Sequence, residues 1–305
     1  MKHIISISLG SSKRNQRTET ELLGDLIILE RIGTDGDQAL ARQLFQEYDG
    51  RVDAFGVGGA DLGITVQDRA YPLYAIHKLT AGIQTPAVDG GMVRRVVERR
   101  FVPRLESLLT DYLPEPIQPK RVLICTAVAR YDLACSFHDA GYDAIYGDLG
   151  FGLGLPIPVR SLATLHRLAR IMLPIMGRLP FKWLYPTGES QDEIMPRFER
   201  WYNWASVIAD DFHYIKQHLP DRLDNKIVVT NTTTEDDVLL LKERGAAILC
   251  TITPRLEGRS FGTNVMEAAL TAIAGKGRSL TESELEQMLQ VDDLTPTIMK
   301  LSADS

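Results

Sequence analysis

The sequence predicts an α/β protein whose C-terminal part is a doubly wound parallel sheet, preceded by a smaller α/β N-terminal domain. Three observations carry this expectation. Residues 120–149 read as strand, loop, helix, strand: 121–125 are an apolar run, 133–140 wind as a helix stopped by Gly141, and 144–146 are a short apolar strand ending in Gly147 and Asp148. The alternation then resumes, with strands at 206–209, 226–230 and 246–252 separated by helices at 211–219 and 236–245. Strands that alternate with helices pair in parallel and bury both faces of their sheet. Finally, residues 113–119 contain Pro114, Pro116 and Pro119, which remove backbone donors and stop helices. This predicts a boundary between a smaller N-terminal domain, 1–116, and the domain of the doubly wound sheet, 117–305.

The N-terminal part follows the same logic. Residues 3–9 are a strand ended by the polar loop 10–15, and two β-rich runs, 18–23 and 26–32, flank Gly24 and Asp25. The turn 33–37 starts a helix that reaches Tyr48, with Ala39, Leu40, Leu44 and Phe45 at helical spacing. A strand at 52–56 opens into the glycine-rich 56–63, and a short strand at 86–89 precedes one long helix over 92–112. Arg94, Arg95, Arg99, Arg100 and Arg104 lie on that helix with Glu98 and Glu106 between them, the pattern of a solvated face. Farther on, 150–158 read as a glycine- and proline-rich loop. Helices at 160–177 and 193–204 flank the aromatic stretch 181–186, and a last helix at 281–289 is expected to pack on a surface.

Composition narrows the function classes. The 305 residues are 44% hydrophobic and 24% charged, as in globular proteins, and the net charge of -6 argues against broad electrostatic binding to nucleic acid. Cys125, Cys135 and Cys250 have no metal-ligand spacing and read as small buried apolar residues of a reducing compartment. The longest apolar helical stretch, 162–176, holds His166, Arg167, Arg170 and Pro174, so no membrane span is expected. Met1, Lys2 and His3 lead straight into a strand, and the expectation is a cytoplasmic protein that acts on a small molecule, its oligomeric state, homo-oligomer included, left open. No metal site is expected. HExxH, GxxxxGK[ST], CxxC and a Ser/His/Asp order are all missing, which leaves zinc protease, P-loop, thiol-redox and triad hydrolase chemistry without support.

In sheets of this kind ligands sit beyond the carboxyl ends of the strands. The loops that converge there are 126–132, 147–150, 210–213 and 231–236. Thr126, Ala127, Arg130, Asp210, Asn231, Thr232 and Thr233 are therefore candidate cofactor-binding residues, and Asp148, 22 residues after Thr126, is placed to hold ribose hydroxyls and to favour NAD over NADP. The turn 126–132 contains no glycine, and Arg130 is the residue that would pair with phosphate in place of glycine-exposed amides. Residues 253–264 feed a helix, so Arg259, Ser260 and Asn264 join the candidates. In the first domain Ser11, Ser12 and Arg14 form an anion-seeking group for substrate. Lys13, Asp61 and Asp89, each just after a predicted strand, are candidate proton acceptors, with His213 as an alternative relay.

Four segments, 7–13, 30–37, 228–234 and 258–268, resemble a bacterial family commonly labelled quinate 5-dehydrogenase, and the resemblance spans most of the chain. It implies an oxidoreductase that transfers a hydride between NAD or NADP and a hydroxylated carboxylic acid such as quinate or shikimate, with a substrate domain followed by a Rossmann-like domain. It also suggests Lys13 and Asp61 as a catalytic pair, by analogy of role. Shikimate dehydrogenases carry a Ser-x-Ser-Pro motif and a glycine-rich cofactor turn, where this chain has Ser11-Ser12-Lys13-Arg14 and the glycine-free 126–132. The alternative reading is a non-catalytic nucleotide or small-ligand binding protein on the same scaffold.

Overall fold

A computed structural model of the chain describes residues 1–181, 194–253, 255–256, 259–260, 262–289 and 295–301. The first sheet contains β1 (Lys2–Ser8), β2 (Gln16–Leu22), β3 (Asp25–Gly33), β4 (Ala54–Gly58) and β7 (Ala87–Val88), in the order β2-β3-β1-β4-β7. β3 and β4 run parallel to β1, β7 runs parallel to β4, and only β2 is antiparallel. The β2–β3 hairpin turns on Leu23 and Gly24, both with positive φ, as a two-residue loop matched to strand twist requires. Asp37 caps α1 (Gln38–Tyr48) by accepting the amides of Ala39 and Leu40. β5 (Gly63–Val66) and β6 (Arg69–Pro72) form a separate hairpin, followed by α2 (Tyr74–His77).

Where one long helix was expected over 92–112, the chain forms α3 (Gly91–Arg99) and α4 (Phe101–Leu109), broken at Arg100 with φ -107 and ψ 5. Pro103 explains the break. It has no N–H for the Arg99 carbonyl and its ring would strike that carbonyl in a continuous helix. The arginine face also departs from the solvated one expected. Arg95 is buried at 8% exposure, and Arg95 and Arg99 pair with Asp132 and Glu282, which ties α3 to the helices that carry those carboxylates.

The second sheet is mixed but mostly parallel. β8 (Arg121–Ile124), β9 (Asp143–Tyr146), β10 (Val207–Ala209), β11 (Ile227–Thr230) and β12 (Ile248–Thr251) run in parallel, and β15 (Thr297–Lys300) closes one edge antiparallel to β12, in the order β15-β12-β11-β10-β8-β9. Between them lie α5 (Tyr131–Asp139), α6 (Asp148–Leu153), α7 (Leu162–Met176), α8 (Glu199–Trp204), α9 (Phe212–Gln217) and α10 (Glu235–Glu243). α6 occupies part of the stretch expected as a loop at 150–158, and β15 was not foreseen. Glu193 and residues 182–186 of the aromatic stretch lie outside the described residues. Alternate residues on β8 serve different cores: Val122 and Ile124 pack with α5 residues Leu133 and Phe137, while Leu123 joins Ile208, Val228 and Trp201 on the other face. Burial on both faces is what makes the sheet doubly wound.

After β13 (Arg255–Leu256) and β14 (Arg259–Ser260), α11 (Thr263–Ala274) turns back onto the first sheet and packs on β1, β4 and β7. Gly90 makes this approach feasible: it has φ +86, and a Cβ there would lie 2.4 Å from the Asn264 nitrogen. α12 (Glu282–Met288) then packs on α3. No helix of the described residues is long and apolar enough to cross a membrane.

Candidate functional site

In the second sheet the strands appear in the spatial succession 2-1-3-4-5, so the winding reverses between β8 and β10. A ligand crevice is expected beyond that point. The turn that leaves β8 has its amides satisfied by carboxylates. Asp210, fully buried at the end of β10, accepts hydrogen bonds from the amide of Thr126 at 2.5 Å and from its hydroxyl at 2.9 Å. Asp148 accepts from the Val128 amide at 2.8 Å and also faces the Ala127 amide. Burial pushes Asp210 up to about 6, helped by neighbouring Asp211, and pushes Asp148 up to about 7, helped by Asp210. Three successive turn residues thus hold two of the chain's own carboxyl groups where a dinucleotide would place its pyrophosphate.

Beneath them lies an ion network. Arg130, 1% exposed, binds Glu98 at 3.0 Å, Asp211 at 3.1 Å and the Asn231 side-chain oxygen at 2.8 Å. Arg130 therefore does not present itself to phosphate as expected: its guanidinium is sealed and paired. Nor does Asp148 extend toward a ribose. The residues of this turn do not fit the pyrophosphate of NAD or NADP in its usual position, because the amides are taken, no glycine opens the backbone and the cation is spent inside the protein.

The network reaches the first sheet through Arg94. Its guanidinium donates to Asp61 at 2.6 Å and lies in the field of Asp211, Asp89 and Glu98, which hold it protonated against the cost of burial. Asp61 follows β4, while Asp211 follows β10, so one arginine spans the carboxyl edges of both sheets. Asp89 accepts the amides of Leu62 at 2.5 Å and Gly91 at 2.8 Å, and burial, with Asp61 nearby, raises its pKa. Glu267 on α11 accepts the amides of Met92 and Val93 at the start of α3, and burial pushes it up to about 7. Asp61 and Asp211 keep 24% and 26% side-chain exposure. They are the more exposed members of a charged cluster whose buried members include Glu98, Arg130 and Asp210.

The remaining expected residues separate into groups. Ser11, Ser12, Lys13 and Arg14 form an outer turn after β1, where the Ser12 amide donates to Asp35 at 2.8 Å. Lys13 is exposed beside Asp35, whereas Asp61 engages Arg94, so the suggested Lys13 and Asp61 pair is not what these contacts describe. Asn264 was assigned to a cofactor, but α11 carries it to the first sheet, where its amide donates to Ser6 at 2.8 Å. Thr232 and Thr233 follow β11, and the next residue, Thr234, caps α10 in a capping box with Asp237. Arg259 and Ser260 lie on β14, and their side chains are outside the described residues. His213 is exposed, its ring against Tyr214 and near Asp211. Among the described residues no cluster of His, Cys, Asp or Glu is arranged to hold a metal ion.

Sequence reasoning missed Glu98, Arg94 and Glu267. Arg94 and Glu98 were read as parts of a solvated helix face. Glu267 had one available signal: it is the single charged residue of the otherwise apolar or neutral run 263–274.

This chain belongs to the family described as Domain of unknown function (DUF8754), whose model matches residues 92–301. A second model, Domain of unknown function (DUF8753), matches residues 3–89. No curated protein matches. Among solved structures, the chain is similar to an NAD-dependent malic enzyme from Thermotoga maritima, with a TM-score of 0.40 and 15% identity over 97% of this chain and 80% of that one. It is also similar to a hetero-hexameric glutamate dehydrogenase from Thermus thermophilus, with a TM-score of 0.42 and 12% identity over 94% and 71%. A galactofuranose binding protein matches with a TM-score of 0.37 and 10% identity over 98% and 95%.

Proposed function

We propose that the chain binds a small hydroxyl-bearing molecule where the carboxyl edges of its two sheets meet, and that carboxylates rather than turn amides receive it. The carrying observation is the occupation of the 126–128 turn by Asp210 and Asp148. An ionised carboxylate only accepts hydrogen bonds, and hydroxyls are the donors that suit it. Asp61 and Asp211 stand exposed enough to reach a ligand, and Arg94 and the buried members of the cluster hold their orientation. Isothermal titration against neutral polyols and monosaccharides, quinate, shikimate, NAD and NADP tests this reading. A hydroxylated molecule should bind, and Asp211→Asn should weaken it. Binding of a dinucleotide alone, with no response to Asp211→Asn, would sink the proposal.

A second reading is hydride transfer between NAD or NADP and a hydroxylated carboxylic acid such as quinate, the activity implied by the resemblance of 7–13, 30–37, 228–234 and 258–268. The observation in its favour is Asp89 just after β7, a carboxyl whose pKa is raised by burial and by neighbouring Asp61, the kind of shift that suits a proton-exchanging group. It requires the cofactor to be held away from the 126–130 turn. Formation of reduced nicotinamide from quinate, followed by its near-ultraviolet absorbance and abolished by Asp89→Asn, is the result it expects.

A further inference from the structure

The turn after β1 carries charge of the opposite sign. Three cations converge on it, from two strand ends: Lys13 and Arg14 at its tip, and Arg31 from β3, whose guanidinium donates to the Ser8 hydroxyl at 3.1 Å and to the Ser11 carbonyl at 3.0 Å. Among the described residues none of the three forms a salt bridge, although the chain carries 40 acidic residues against 34 basic ones. Asp35 lies in the field of Lys13 and Arg31, and it already receives the Ser12 amide. Burial lowers the pKa of Arg31 and the charge of Arg14 lowers it further, so the cations are held together against mutual repulsion. Repulsion of this kind is relieved by an anion, and the turn lies where the first and fourth strands of this sheet come close together. Gly59 follows β4 with φ +73, so close to the turn that a Cβ would lie 3.0 Å from the Gly10 nitrogen.

We infer that this turn is an anion site, with Arg31 as its anchor and Lys13, Arg14 and the Ser11 hydroxyl completing it, and that it takes a phosphoryl or carboxylate group. The position is the point where the winding of the first sheet reverses, between β1 and β4, which is where such sheets receive ligands. Gly59 leads through Ala60 to Asp61, so the cationic turn and the charged cluster are neighbours along one strand end. Resting on the reading that a small ligand lies between the edges, the inference gives that ligand a polarity: its anionic group on the first sheet, its hydroxyls on Asp61 and Asp211. Arginine suits this task because its planar fork matches two oxygens of phosphate or carboxylate.

The test titrates inorganic phosphate and acetate, at ionic strength fixed with chloride, into wild type, a Lys13→Gln/Arg14→Gln double variant, Arg31→Gln and Asp211→Asn. Wild type should bind one of the anions at millimolar concentration. Tighter binding of phosphate assigns a phosphoryl group, and tighter binding of acetate a carboxylate. The double variant changes only exposed side chains and keeps the fold, and it should weaken the anion by about 10-fold or more, with a comparable loss in Arg31→Gln. Asp211→Asn should leave anion affinity unchanged. Failure of wild type to bind either anion, or equal affinity in the double variant, overturns the site. Anion binding that persists while no hydroxylated molecule binds would instead remove the proposed function and leave the anion site standing.

Discussion

The carboxyl edges of the two sheets share one strand succession, 2-1-3-4, with a fifth parallel strand only in the second, yet they handle charge in opposite ways. On the first sheet Lys13, Arg14 and Arg31 gather near Asp35. On the second, Thr126, Ala127 and Val128 are covered by Asp210 and Asp148, and Arg130 is enclosed by Glu98, Asp211 and Asn231. The difference follows from depth. A charge left in reach of water needs no protein partner, so the outer turn can keep cations for a ligand. A charge buried to 1% exposure must be paired, and Arg130 is therefore structural in the arrangement seen.

The contrast breaks most visibly at Arg130. Arg130→Met leaves Glu98 and Asp211 without their cation, and loss of one partner of a buried pair costs about 3–5 kcal/mol. Urea unfolding should show that loss, while Lys13→Gln should change stability by no more than roughly 0.5 kcal/mol. An Arg130→Met protein as stable as wild type would show that the network is not sealed.

Gly90→Ala comes next. It places a Cβ 2.4 Å from the Asn264 nitrogen and demands φ +86 of an alanine. Overpacking costs about 1–3 kcal/mol, and a left-handed backbone on the order of 1 kcal/mol more. Because α11 joins the sheets at this place, thermal unfolding should shift down and the binding of any cleft ligand should weaken with it.

Acidity sharpens the comparison. Asp148, Asp210 and Glu267 ionise in the folded chain at about 7, 6 and 7, whereas unfolded carboxyls do so near pH 4. Between these values the folded state binds more protons than the unfolded state, so these groups make stability fall as pH rises from about 4 to about 7. Asp148→Asn should flatten that part of the profile, measured as urea midpoints across the window. A profile of unchanged slope would contradict the raised Asp148. The first-sheet turn runs the other way, since hydrogen bonds from Ser12 hold Asp35 below its ordinary value.

A local effect concerns the capping threonine three residues after Asn231. Thr234→Ala removes the side chain that accepts the Asp237 amide and should cost about 1 kcal/mol. Ligand affinity should not change if Thr234 serves the helix alone.

Strand-end reasoning from the sequence named Thr126, Arg130, Asp148, Asp210 and Asn231, and the fold gathers all five at the β8 and β10 ends. Their roles were not legible. Arg130 pairs with Glu98, 32 positions earlier, and the α3 amides find Glu267 at a separation of 175 residues. Neither pairing has a local signature, because both depend on where α3 and α11 come to rest. Asn264 shows the same limit: its position before a helix suggested a ligand, and the return of α11 to the first sheet made it a partner of Ser6.

By itself the sequence determined the alternation of apolar strands with amphipathic helices, and hence an α/β protein with a mostly parallel C-terminal sheet whose carboxyl edge is open. It also placed helix starts after the turn 33–37 and close to 236, which the caps Asp37 and Thr234 now define, since periodicity and caps act within a few residues. Tertiary structure decided what those edges are. Burial chose which carboxyls keep their protons, proximity chose which arginines are neutralised, and α11 chose which half its side chains serve. Desolvation and Coulomb attraction depend on distances in space that chain spacing does not encode.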